Sequence, residues 1–129
     1  MNEIDLTSPE VEQLAVLLCE MEEHHGTLNR IETFIALRRT GKEPARSIFY
    51  SAEMMKAFDH GIDALRSLQA REKLTYLRAR AALRKFIEEH PDAFKALKPI
   101  LGPADLKILN EEQIINNPNN NEHEENKPG

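Results

Sequence analysis

From residue 51 to residue 89 the chain reads SAEMMKAFDHGIDALRSLQAREKLTYLRARAALRKFIEE, with apolar side chains at Met55, Phe58, Ile62, Leu65, Leu68, Tyr76, Ala79, Leu83 and Phe86. Most steps are three or four residues, the spacing of one helix face. The arc they occupy is about 100° wide, as a core-facing helix requires. Ala70, Leu74, Leu77 and Ala81 form a second, shorter stripe, centred roughly 160° away on the same wheel. Two opposed apolar stripes predict neighbours on two sides, so this is expected to be the central helix of a bundle or to lie at a subunit boundary. Ser51 is placed to cap it and Glu53 to sit near the positive end of its dipole. The His90-Pro91 pair should end it, because Pro disfavours helical geometry in the residue before it. Gly61 costs about 1 kcal/mol relative to Ala, but the stripe passes through it without changing phase. Continuity or a modest kink is therefore expected. A continuous helix would be roughly 58 Å long, more than a compact domain needs, which leaves a break near Asp59 to Gly61 as the alternative.

The other elements follow from the same patterning. Thr7-Ser8-Pro9-Glu10 is a helix start, with Thr7 as cap, Glu10 closing the capping box and Pro9 in the first turn. A first helix with Val11, Leu14, Ala15, Leu17, Leu18 and Met21 on its apolar face is predicted to run to about His25 and stop at Gly26. Thr27 would cap a second helix carrying Leu28, Ile31, Phe34, Ile35 and Leu37 and ending at Gly41. A connection as short as Gly26-Thr27 makes these two an antiparallel hairpin. Residues 41–50 contain Pro44 and form a connector, with Ile48, Phe49 and Tyr50 tucked beneath the core. Pro91-Asp92 opens a short helix that Pro99 interrupts, and Gly102-Pro103 begins another. From Asn116 the tail has no large apolar residue to offset its ordering entropy. The prediction is one all-α domain over residues 1–115, a helical hairpin packed on a long central helix and followed by short C-terminal helices. Residues 116–129 are predicted to be a disordered Asn/Glu-rich tail.

Composition narrows the function. Aromatics make up 5% of the 129 residues and there is no Trp, which argues against aromatic platforms for sugars or bases. The single Cys19 has no internal disulfide partner, and its neighbours Leu17, Leu18 and Met21 suggest a buried, inert thiol. No apolar stretch approaches the 18 residues of a membrane span. The N-terminus is acidic and lacks the basic and apolar regions of a signal peptide. A cytoplasmic protein is expected. The net charge of −5 conceals an asymmetry: residues 1–29 hold seven acids and no Lys or Arg, whereas residues 30–107 hold 16 basic and 10 acidic residues. Between residues 66 and 85, seven cations face the lone acid Glu72.

Candidate chemistry is sparse. Glu22 and His25 form an E-x-x-H pair, and Glu20 and His24 lie i,i+4, so two carboxylates and two imidazoles gather at one place. A di-iron bundle needs a second E-x-x-H and two further Glu, and the second motif is missing. Structural histidines at a helix end are the expectation, with no metal and no cofactor. There is no phosphate-binding Gly-rich loop, C-x-x-C, nucleophile elbow or H-E-x-x-H, and no enzymatic activity is expected. Met21, Met54 and Met55 are read as core rather than as an adaptable groove. Two functional readings lead, with a metal protein using Glu20, Glu22, His24 and His25 ranked third behind them. The first is a helical protein–protein interaction module, an adaptor or regulator that binds a protein partner or a second copy of itself through Ala70, Leu74, Leu77 and Ala81. The alternative is a nucleic-acid-associated regulator that grips phosphates through Arg38, Arg39, Lys42, Arg46, Arg66, Lys73, Arg80 and Arg84. A helix-turn-helix reader fits poorly, since the connector is about ten residues with a central Pro instead of three or four with Gly.

Overall fold

A computed structural model describes residues 8–45, 50–112 and 114–115 of the chain. Among these the structure is all helical: α1 (Pro9–Arg39), α2 (Ala52–His60), α3 (Ile62–Glu89), α4 (Pro91–Leu97), a 3₁₀ turn (Lys98–Ile100) and α5 (Pro103–Glu111). The all-α class is as predicted. The hairpin is not. α1 is a single helix of 31 residues that passes through Gly26 and Thr27 without a turn.

Local chemistry explains this correction. Gly26 has no positive φ; of the described glycines only Gly41 and Gly61 do. Thr27 does not cap a new helix. Its hydroxyl donates to the Glu23 carbonyl at 3.1 Å and accepts from Arg30 Nη2 at 3.0 Å. A β-carbon at Gly26 would meet Arg30 Nη1 at 3.4 Å, so the absent side chain leaves room for this guanidinium to lie along the helix. At the ends of α1, the Ser8 hydroxyl accepts from Val11 N–H at 3.2 Å, so Ser8 is the cap and Glu10 stands one position short of a capping box. Thr7 lies outside the described residues. The C-terminus follows the prediction: Gly41, at φ 72°, lets Lys42 N–H reach the Leu37 carbonyl at 2.9 Å.

The second correction is at Gly61, where the break considered as the alternative occurs. Its φ of 120° and ψ of −177° lie in a region open only to glycine. Its N–H reaches the carbonyls of Ala57 and Phe58, ending α2, and its own carbonyl accepts from Leu65 N–H, starting α3. Ser51 caps α2 as predicted, accepting from Met54 N–H at 3.0 Å. Pro91 opens α4, and Pro103 opens α5 with Gly102 N–H donating to the Asp105 carboxylate at 3.2 Å.

The chain gathers into two compact units, one formed by Glu20–Ala79 and the other by Met1–Cys19 with Arg80–Gly129. In the first, Ile31, Phe34 and Ile35 of α1 pack with Met54 and Phe58 of α2 and Leu65 and Leu68 of α3. Phe34 meets Phe58 edge-on at 5.5 Å and Tyr50 at 4.9 Å, geometries worth about 0.5–1.5 kcal/mol beyond area burial. Tyr50 is thus at the core as predicted, whereas Ile48 and Phe49 lie outside the described residues. Met54 is buried and Met55 only partly so, one position from the predicted stripe. Leu74 and Leu77 aside, α3 keeps its large apolar residues in this unit at least half-covered. In the other unit Val11, Leu14, Leu18, Leu83, Ala93, Leu97, Leu109 and Ile114 are buried, and Arg80 Nε donates to the Glu112 carbonyl at 2.8 Å. Residues 116–129, the predicted tail, lie outside the described residues.

Candidate interaction surface

In α3 the buried residues Leu65, Leu68 and Tyr76 mark the inward face. Leu74 stands roughly 120° or more from each of them on a 100°-per-residue wheel. It is therefore driven outward, and it is 52% exposed. Leu77, one turn on, is 39% exposed, and Ala70, one turn back, is exposed as well. Ala81, the fourth residue of the predicted stripe, is also exposed and belongs to the other unit. A large exposed apolar side chain is ordinary in isolation. Here two stand in consecutive turns of one helix face, within a frame of cations: Arg71 and Arg78 lie on one side and Lys73 on the other, all exposed. Lys73 extends its ammonium over the Tyr76 ring at 5.8 Å. Arg71 makes a 2.9 Å ion pair with Glu53 of α2. Both partners of that pair are mostly exposed, so it contributes about 0–1 kcal/mol.

The eight residues of the predicted basic patch are distributed differently. Arg38, Arg39, Lys42 and Arg66 are exposed in one unit, and the Arg38 guanidinium lies 5.6 Å over the Phe58 ring, sealing that edge of the core. Lys73 frames the α3 stripe. Arg80 and Arg84 belong to the other unit, where Arg80 is committed to the Glu112 carbonyl. Arg46 lies outside the described residues.

The histidine cluster resolves into separate side-chain partnerships. His24 Nδ1 lies 2.6 Å from the Glu72 carboxylate, bridging α1 to α3 from 48 residues away in sequence. Both side chains are largely covered, at 28% and 19% exposure. His25 turns toward Tyr76, ring centroids 5.8 Å apart. Among the described residues, no three His, Cys, Asp or Glu side chains gather where they could hold a metal ion. The role of Glu72 was not predicted, though a signal existed: one acid in a run of seven cations stands out as a residue with a specific partner. A second crossing from α1 to α3 joins Gln69 Nε2 to Glu32 Oε1 at 2.5 Å.

Cys19 is exposed, contrary to the expectation of a buried thiol. The buried set Val11, Leu14, Leu18 and Met21 steps by three and four, and Cys19 lies a further 100° round from Leu18. Its outward face of α1 carries Val16, 46% exposed, with Glu12, Glu20 and Glu23 at i−4, i+4 and i+7, all exposed.

No described helix is long and apolar enough to cross a membrane. The chain matches no protein-family model, no curated protein and no solved structure.

Proposed function

We propose that this chain is a non-catalytic helical interaction module, an adaptor or regulator that acts in the cytoplasm and associates with a second copy of itself. The observation that carries this reading is the outward pair Leu74 and Leu77 on α3, exposed in consecutive turns of a helix whose opposite face is already packed. Burying both on association removes apolar area from water at about 25 cal/mol per Å². Ala70 beside them permits close approach of a second helix. A cytoplasmic setting suits the exposed Cys19 thiol, which stays reduced there.

Light-scattering mass across a salt series, with and without mixed DNA and RNA, tests this. The expected result is a mass above the 14.8 kDa of one chain that nucleic acid leaves unchanged. The double substitution Leu74→Glu and Leu77→Glu returns it to one chain with helix content intact, because both positions are at the surface. A strict monomer overturns self-association. A nucleic-acid complex that weakens steeply with salt replaces this reading with phosphate binding by the basic residues.

A further inference from the structure

The α3 stripe is poorly suited to pairing with itself. Lys73 and Arg78 flank Leu74 and Leu77 on opposite sides, Arg71 being already paired with Glu53, so two copies laid stripe to stripe would bring like charges together around a closing apolar contact. Like-charge juxtaposition at an interface selects against that partner. The occupant that satisfies both features is a helix face with a small apolar centre and acidic surroundings.

The chain itself carries one. On the outward face of α1, Val16 is 46% exposed, and Glu12, Glu20 and Glu23 surround it one and two turns away. The two faces match in kind: an apolar centre in each, cations framing one and carboxylates framing the other. We propose that the α3 face of one copy docks on the acidic α1 face of another, so that association is between unlike surfaces and is steered by charge. This rests on the self-association reading above and adds to it the identity of the second surface. Valine and leucine side chains supply the contact that persists at high salt. The charge frame supplies orientation and on-rate, both of which salt screens.

Charge reversal separates the possibilities. Lys73→Glu with Arg78→Glu inverts the α3 frame, and Glu20→Lys with Glu23→Lys inverts the α1 frame. Association constants from light scattering are compared at 50 mM and 500 mM salt. Each pair alone is expected to weaken association about tenfold or more at low salt, and the chain carrying all four to recover most of it. At high salt the four chains converge. All four sites are exposed, and circular dichroism verifies helix content. The neutral substitutions Glu20→Gln with Glu23→Gln give a milder version, expected to weaken association without recovery by the α3 reversal. Association that ignores the α1 substitutions yet disappears with Leu74→Glu overturns this proposal and leaves self-association standing. Failure of the fourfold variant to recover also overturns it. A wild-type monomer overturns both.

Discussion

Gly26 and Gly61 make an instructive pair. Each stands in a stretch with uninterrupted helical periodicity, and each is a place where a helix could stop. At Gly26 the helix runs on; at Gly61 it ends and another begins. Intrinsic propensity does not distinguish them, because the residue is the same and costs about 1 kcal/mol in either helix. Local partners and the core do. Around Gly26, Thr27 bonds back to the preceding turn and donates no cap, while Arg30 fills the space above the glycine and places its Nη2 on the Thr27 hydroxyl, so local contacts favour continuing the helix. At Gly61 the decisive demand is tertiary. In a straight helix Met54 and Leu68 would sit about 21 Å apart, whereas Ile31 to Ile35 extend over only about 6 Å of α1. Breaking at Gly61 lets residues on both sides share one cluster with that short segment of α1.

The largest test of this contrast is Thr27→Pro. It removes a helical N–H and forces a clash with the Glu23 carbonyl, so it should cost about 3 kcal/mol or more. A fall in melting temperature of roughly 10 °C or more is expected; a small shift would mean that continuity through 26 and 27 contributes little. Next is Gly61→Ala. The new β-carbon would have room, with only Arg38 Nη2 near it at 3.8 Å, so the cost is backbone strain at φ 120°. Destabilisation of about 1–3 kcal/mol is expected in urea unfolding. The smallest effect has the opposite sign. Gly26→Ala should stabilise by up to about 1 kcal/mol, because the atom it meets is the movable end of Arg30. The same substitution at the two glycines thus separates a helix interior from a turn, and equal signs would erase the distinction.

Much of the fold was legible where the controlling interaction is local. Ser51, Gly41, Pro91 and Gly102-Pro103 mark element ends through caps, a positive-φ glycine and proline sterics, all encoded within a few residues. Core positions such as Phe34, Phe58, Leu65 and Leu83 follow from periodicity. Reading failed where the outcome depends on distant chain. The choice between the two glycines needed the core, and His24 needed Glu72, 48 residues away. Cys19 was misplaced because Leu17, Leu18 and Met21 made the whole turn look apolar, although the three- and four-residue steps exclude it from the buried line. The outward α3 stripe was visible as a second periodicity. Its neutral centre and charged frame on the folded chain, and the matching acidic face on α1, emerged only once exposure was known.

The division of the chain has a consequence for the order of assembly. One unit is a single unbroken segment, Glu20–Ala79, while the other draws on both ends, Met1–Cys19 and Arg80–Gly129. A segment whose partners are close in sequence closes short loops and organises quickly. During synthesis its residues are all present before the second unit's C-terminal half has been made. The first turns of α1 must therefore wait for partners made after that segment. Pulse-labelled hydrogen exchange during refolding should show amides near Ile31 and Phe34 protected before those near Leu14; simultaneous protection would instead indicate a single cooperative step.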